Sequence, residues 1–275
     1  MVGLTVLAAG CAASAEPTGA PSTTSAGPTI PAVPGIETEA VRLRTDEAVG
    51  GQVQMRITAT GEEPFTVSSV ALDSPGFEPV APRETSTDFA PGRVIDLPVQ
   101  YGEPRCDVAA EPAAARLTVV RPDGRTEDLR VPLAAEIMTR IHEEECAVLA
   151  LLGVVSVEVV GLADEDEAVT GEIRVARRAG IEPVGVERVG RSVLIEVAAP
   201  DLPMTLAEGE DELSTPVVFT SASCEPHVLA ETKKPYVFPV EIVVGEDERV
   251  VVDLPVDEDL RAHLVALVDR VCLQG

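Results

Sequence analysis

The chain has 275 residues, of which 45% are hydrophobic but only 3% aromatic, and none is tryptophan. Its 47 acidic residues outnumber its 21 basic residues and give a formal net charge of −26, a field that repels phosphate backbones and anionic lipid surfaces. The composition therefore argues against nucleic-acid binding. It predicts one or two domains whose cores are packed mainly with Val, Leu, Ile and Ala.

The first part of the chain, residues 1–35, is predicted to be a targeting signal followed by a spacer. An apolar run leads to Gly10-Cys11, and the residues after Cys11 are rich in Pro, Ser, Thr, Ala and Gly, a composition typical of disordered linkers. No Lys or Arg precedes Arg42, so the charged start of a signal peptide is missing. We therefore expect the natural start codon to lie upstream.

The segment Leu7-Ala8-Ala9-Gly10-Cys11 resembles the lipobox of bacterial lipoproteins. The resemblance implies that Cys11 is diacylated, becomes the new N-terminus and tethers the protein to the outer face of the cytoplasmic membrane. Two alternatives stay open. An ordinary signal peptide cleaved near Ala13 or Ala15 would make the protein fully secreted, and a flexible start without export would leave it in the cytoplasm.

An internal repeat organises the remainder of the chain. Residues 46–51 read Asp-Glu-Ala-Val-Gly-Gly, and residues 166–171 read Asp-Glu-Ala-Val-Thr-Gly. Three further landmarks recur in the same order at nearly the same offset: Cys106 with Cys224, Arg130–Leu133 with Asp253–Val256, and Cys146 with Cys272. Four ordered landmarks predict a duplication, with a first β module over residues 36–146 and a second over residues 147–275.

Each copy is predicted to be a β-sandwich of five to seven short strands. Alternating apolar and polar residues place the strands of the first copy at about 39–44, 52–58, 64–72, 94–101, 115–120 and 128–133. Turn sequences such as Arg121-Pro122-Asp123-Gly124 separate these runs and predict hairpins.

A closing helix is predicted at the end of each copy. In the first copy it spans about Ala134 to Glu145. In the second copy it begins after Asp257, whose negative charge suits a helix N-terminus. Its buried stripe is predicted to contain Leu260, Leu264, Leu267 and Val271.

The cysteines are predicted to form one disulfide in each copy. With Cys11 assigned to the lipid, four cysteines remain, and four cysteines allow three connectivities. Only the pairing Cys106–Cys146 and Cys224–Cys272 gives each copy one internal disulfide at equivalent positions. Disulfides persist outside the cytoplasm, in agreement with an export signal. Zinc ligation is the competing interpretation, but no CxxC or HxxxH spacing supports it.

The first copy also resembles the bacterial Ig-like domains of exported proteins, from Glu63–Val67 through Pro75–Phe77 to Leu97–Val99. The resemblance implies a sandwich fold and, by association, adhesion or binding. The expected fold class is therefore mainly β, with two tandem Ig-like β-sandwich modules, each closed by a C-terminal helix and one disulfide.

No nucleophile elbow, triad, metal or cofactor motif is present, so we predict a non-enzymatic protein without a cofactor. The acidic runs at 164–167, 208–212 and 246–248 lack the residue order of a calcium loop, which favours solvated loops over a Ca²⁺ site. A basic island is predicted to pair mainly with neighbouring carboxylates; it consists of Arg174, Arg177, Arg178, Arg188 and Arg191.

The copies differ most in the loop after their first cysteine. In the second copy this segment, Glu225–Tyr236, holds both lysines of the protein and one of its two tyrosines. A basic segment with an aromatic ring on an acidic protein could bind an anionic or sugar-like partner through charge attraction and ring stacking. The alternative is that the segment is an ordinary exposed turn. The predicted ligand-binding residues are His227, Lys233, Lys234 and Tyr236.

The predicted function is that of a cell-envelope lipoprotein that acts as a surface binding or scaffold protein. Its partners would be the membrane, through the lipid anchor, and an envelope protein or glycan. The alternative is a small-ligand-binding or hydrolytic extracytoplasmic protein. Such a protein should show one deep pocket lined by a close His–carboxylate or His–Ser pair.

Overall fold

Five of the six strands predicted in the first copy are confirmed near their predicted bounds, whereas the strand predicted at about 39–44 lies at Ile36–Val41. Alternating residues such as Val53, Met55 and Ile57 are fully buried on one face of a sheet. In the computed structural model, which describes residues 29–273, the fold is mainly β, with two tandem Ig-like sandwich modules. No helix within this range is long and apolar enough to span a membrane.

Between residues 36 and 132 the chain forms seven strands and one short helix. In chain order they are β1 (Ile36–Val41), α1 (Arg44–Val49), β2 (Gln52–Ala59), β3 (Phe65–Asp73), β4 (Arg83–Phe89), β5 (Val94–Gln100), β6 (Ala114–Val120) and β7 (Thr126–Pro132). Helix α2 (Ala135–Val154) follows. One sheet has the order β1-β2-β5 and the other β4-β3-β6-β7, with all pairs antiparallel.

The second module repeats this topology. Its elements are β8 (Val155–Asp164), β9 (Ala168–Arg177), β10 (Val184–Val189), β11 (Ile195–Ala198), β12 (Met204–Leu206), β13 (Glu212–Ser221), α3 (Pro226–Glu231), β14 (Pro239–Val244), β15 (Val250–Asp253) and α4 (Glu258–Val268). The sheets run β8-β9-β13-β11 and β12-β10-β14-β15. Strands β8, β9 and β13 correspond to β1, β2 and β5, and strands β12, β10, β14 and β15 correspond to β4, β3, β6 and β7. Strand β11 has no counterpart among the described residues of the first module. This correspondence is expected for a duplication.

A hydrogen bond at the end of the last strand shows how the copies align. Leu133 N donates to Ala113 O at 3.0 Å, and Leu254 N donates to Phe238 O at 2.8 Å. Both leucines are buried. Leu133 therefore corresponds to Leu254, whereas the sequence landmark aligned it with Val256. The landmark therefore lies at the correct place in the order of the repeat, but the sequence alignment of the two copies is shifted there by two residues.

Helix α2 is longer than predicted and belongs to both modules. It runs to Val154 instead of ending at Glu145. Met138 and Ile141 lie in the core of the first module, whereas Leu151 lies in the core of the second. The predicted division between residues 146 and 147 falls inside this helix. The two sandwiches are therefore joined by a continuous helix whose two halves are anchored in different cores.

Helix α4 closes the second module as expected. The Asp257 carboxylate accepts a hydrogen bond from Leu260 N at 2.8 Å and so caps the helix. Leu260, Leu264 and Leu267 are all buried. The chain then continues as a π-helical turn over Asp269–Leu273.

Both predicted disulfides are present. Cys106 is bonded to Cys146 with a Cα–Cα distance of 5.6 Å, and Cys224 is bonded to Cys272 with a Cα–Cα distance of 5.1 Å. The first ties the segment after β5 to the middle of α2, and the second ties the segment after β13 to the π-helical turn. Each module thus carries its own covalent link between sheet and helix.

Candidate functional site

The segment between Cys224 and β14 contains the four predicted ligand-binding residues, which differ in their exposure. Pro226 occupies the first turn of α3, where its missing N–H costs nothing. His227 on this helix is exposed, as are Lys233 and Lys234 after it. Tyr236 is half-buried. Three of the four predicted residues are therefore open to solvent, whereas Tyr236 is partly enclosed by the protein.

Tyr236 packs toward helix α4. The guanidinium carbon of Arg261 lies 5.8 Å from the centre of the tyrosine ring, within the range of a cation–π contact. Burial raises the pKa of the Tyr236 hydroxyl, and the charge of Asp269 adds to the rise while Arg261 opposes it. One face of the ring is therefore occupied by a neighbouring side chain of the protein.

Lys234, in contrast, lines an open cleft where the two modules meet. This junction cleft has a volume of about 560 Å³, within the range of ligand sites. Glu47 of helix α1 contributes from the first module, and the remaining residues come from the second. The lining residues are Glu47, Arg191, Ser192, Val193, Lys234, Val237 and Asp253. His227, Lys233 and Tyr236 do not belong to this set.

Most of the predicted basic island is engaged within the second module. Arg174 donates to Glu158 at 2.8 Å, and Arg188 donates to Glu241 at 3.1 Å. Arg177 and Arg178 donate to backbone carbonyls, including Leu152 O at the end of α2. Only Arg191 of the five also lines the junction cleft.

A close His–carboxylate pair is present, but it lies elsewhere. His263 Nδ1 is 3.1 Å from Asp164 Oδ2, and Arg270 donates to Asp164 Oδ1 at 3.1 Å. Contact with His263, supported by Arg270, lowers the pKa of Asp164. These contacts attach α4 and the turn after it to the end of β8. None of the three residues lines the junction cleft.

The other candidate chemistry is accounted for by local structure. His142 is buried beside the first disulfide, with Nε2 3.1 Å from Arg105 O and its ring edge-on to Phe77. Within residues 29–273, no group of three His, Cys, Asp or Glu side chains is placed to hold a metal ion. Cys11, the predicted lipidation residue, lies outside the described residues.

Tyr101 holds helix α2 onto the first module. Its hydroxyl donates to Glu145 Oε1 at 3.0 Å. Burial raises the pKa of Tyr101 to about 12, and the Glu145 carboxylate contributes to the rise. The folded state therefore favours the neutral phenol.

We expect the stability provided by this contact to be complete below pH 10.0 and to disappear as the pH rises toward about 12, because the unfolded tyrosine ionises first. The Tyr101→Phe variant should lose less stability over this interval than the wild type, as measured by urea unfolding at several pH values. An equally steep alkaline loss in both proteins would contradict the assignment.

Comparison with known proteins adds the following findings. No family model and no curated protein matches the chain. Among solved structures, the chain is similar to red sea bream transglutaminase, with 8% identity and a TM-score of 0.24 over 81% of this chain and 31% of that one. It is also similar to the YadV chaperone, with 14% identity and a TM-score of 0.19 over 80% of this chain and 98% of that one.

A third similar structure is the BSP domain of a biofilm associated protein, with 6% identity and a TM-score of 0.19 over 83% of this chain and 60% of that one. The chain spans less than a third of the transglutaminase. TM-scores this low carry no argument about ligand or partner. The functional inference therefore rests on the residues and geometry of this chain.

Proposed function

We propose that the protein is a non-enzymatic lipoprotein of the cell envelope, tethered by a lipid on Cys11 to the outer face of the cytoplasmic membrane. It acts as a surface binding or scaffold protein. The observation that carries this proposal is that both modules are disulfide-linked and share helix α2. Disulfides require an oxidising compartment, and a shared helix suits a protein that presents surfaces at a fixed spacing.

The proposed partner is an envelope protein or glycan, and the surface charge argues against a nucleic acid. The net charge of −26 opposes the approach of phosphate backbones. The alternative of a hydrolytic enzyme draws on the His263–Asp164 pair. That pair already engages Arg270 and braces α4, which favours the structural role over the catalytic one.

The lipid anchor is tested with the protein expressed from its natural gene in a bacterial host. The wild type should partition into the detergent phase, because a lipid chain adds roughly 0.8 kcal/mol of membrane affinity for each buried methylene. Mass spectrometry of the N-terminal peptide should find acylated Cys11. The Cys11→Ala variant should stay in the aqueous phase or remain unprocessed.

Ser14→Ala is the matched control, because it changes a neighbouring residue without removing the thiol. It should fractionate like the wild type. A wild-type protein recovered entirely in the culture medium, with an unmodified N-terminus, would refute the lipid anchor.

A further inference from the structure

We propose that the junction cleft binds a short peptide that carries both a free ammonium and a free carboxylate group. This inference rests on the proposed binding function and adds a small ligand to the envelope protein or glycan proposed as partner. The cleft is built from both modules: Glu47 belongs to the first, and Arg191, Lys234 and Asp253 belong to the second.

The charged residues of the cleft are available to a ligand. Within residues 29–273, neither Lys234 nor Asp253 has an ion-pair partner within 4.0 Å. Arg191 has an exposed pair with Glu196 at 3.3 Å, and Glu47 has only a long contact with Arg42 at 3.8 Å. Exposed pairs of this kind contribute little free energy, so a ligand can replace them at low cost.

The cleft presents both signs of charge, and this selects the ligand class. A purely anionic ligand would meet Glu47 and Asp253 as well as the acidic field of the chain. A purely cationic ligand would meet Arg191 and Lys234. A zwitterion can place its ammonium group near the two carboxylates and its carboxylate group near the two basic side chains. Opposite charges then attract, and the repulsion between like charges is avoided.

The uncharged lining favours a peptide over a sugar. Val193 is 58% exposed, and Val237 is half-buried beside it. These aliphatic surfaces suit the Cα and Cβ atoms of a small peptide, whose burial would remove apolar area from water. None of the lining residues is aromatic, so a sugar ring finds no stacking platform. Tyr236 in the same segment is engaged with Arg261.

The test uses the full chain and a mixture of tripeptides with free termini and uncharged side chains. Binding is followed by the backbone amide signals of Val193 and Val237 in nuclear magnetic resonance spectra. These signals should shift in a saturable way. The same tripeptides with acetylated N-termini and amidated C-termini should produce no saturable shift, because they lack both charges.

The matched variants are Lys234→Gln and Lys233→Gln, which remove the same charge from two adjacent exposed lysines. Only Lys234 lines the cleft, so its removal should weaken binding about tenfold, whereas Lys233→Gln should change it less than about twofold. Asp253→Asn should also weaken binding. Unchanged melting temperatures would show that all three variants remain folded.

Absence of a saturable shift with the free tripeptides would overturn the proposal. Equal effects of the two lysine variants, or equal binding of capped and free tripeptides, would do the same. These outcomes are distinguishable from failure of the proposed function, because membrane partitioning through Cys11 is measured independently of the cleft.

Discussion

Removing the disulfide of the first module should lower its free energy of unfolding by about 4 kcal/mol. The double variant Cys106→Ser and Cys146→Ser opens a loop of 40 residues, and the unfolded chain then regains the entropy that the bridge had removed. For a module of this size, the melting temperature should fall by on the order of 15–20 °C. Thermal unfolding followed by circular dichroism measures the change.

The second bridge serves as the comparison. Its loop of 48 residues is nearly as long, so Cys224→Ser with Cys272→Ser should destabilise the second module by a similar amount. A reducing agent should lower the stability of the wild type and leave a variant without both bridges unaffected. If the melting temperature of the wild type does not change when the reductant is added, the bridges contribute nothing to stability.

Leu151→Ala should destabilise the second module by about 2–5 kcal/mol, although the residue lies on the helix that closes the first. Leu151 is only 4% exposed, and truncating it would leave a cavity in the second core. Leu149→Ala is the matched control. Leu149 lies two positions away on the same helix and is 49% exposed, so its truncation should change stability by less than about 0.5 kcal/mol.

Urea unfolding of both leucine variants measures the difference. Met138→Ala extends the comparison, because Met138 lies in the first core and its loss should act on the first module. Equal losses for Leu149→Ala and Leu151→Ala would show that the C-terminal half of α2 does not pack in the second core.

The duplication allowed more of the fold to be predicted than a single copy would have. It selected the correct disulfide pairing. It did not predict strand β4, because Arg83–Phe89 is mostly polar and exposed and lacks the apolar alternation of an inner strand. It also did not predict the length of α2, because a short apolar run such as Ala147–Val154 suits either a helix or a buried strand.

The repeated sequence Asp-Glu-Ala-Val shows why local sequence was insufficient. In the first copy it lies in helix α1, where the buried Asp46 carboxylate accepts hydrogen bonds from Leu43 N, Gln52 and Gln54. In the second copy the same sequence forms the bend before β9 and the first two residues of that strand, and Asp166 is exposed. The two glutamines that stabilise the first conformation have no counterpart in the second, where Glu172 and Arg174 occupy the matching positions.

The candidate site was predictable only in part, for a similar reason. Lys234 stood out because lysine is so rare in this chain. Arg191 was noticed only as part of the basic island, and Glu47 and Asp253 carried no signal of a site, because they are distant in sequence and Glu47 belongs to the other module. A cleft between modules depends on their relative placement, which no local pattern encodes.

Helix α2 also bears on how the two copies can be inherited. Domains are usually exchanged by recombination in exposed linkers, but α2 ends at Val154 and β8 begins at Val155. A crossover at the boundary would cut an element that both cores need, so the gain or loss of one copy would leave an open core. The pair should therefore evolve as one unit. Insertions and deletions should accumulate instead at exposed hairpin tips such as residues 122–125.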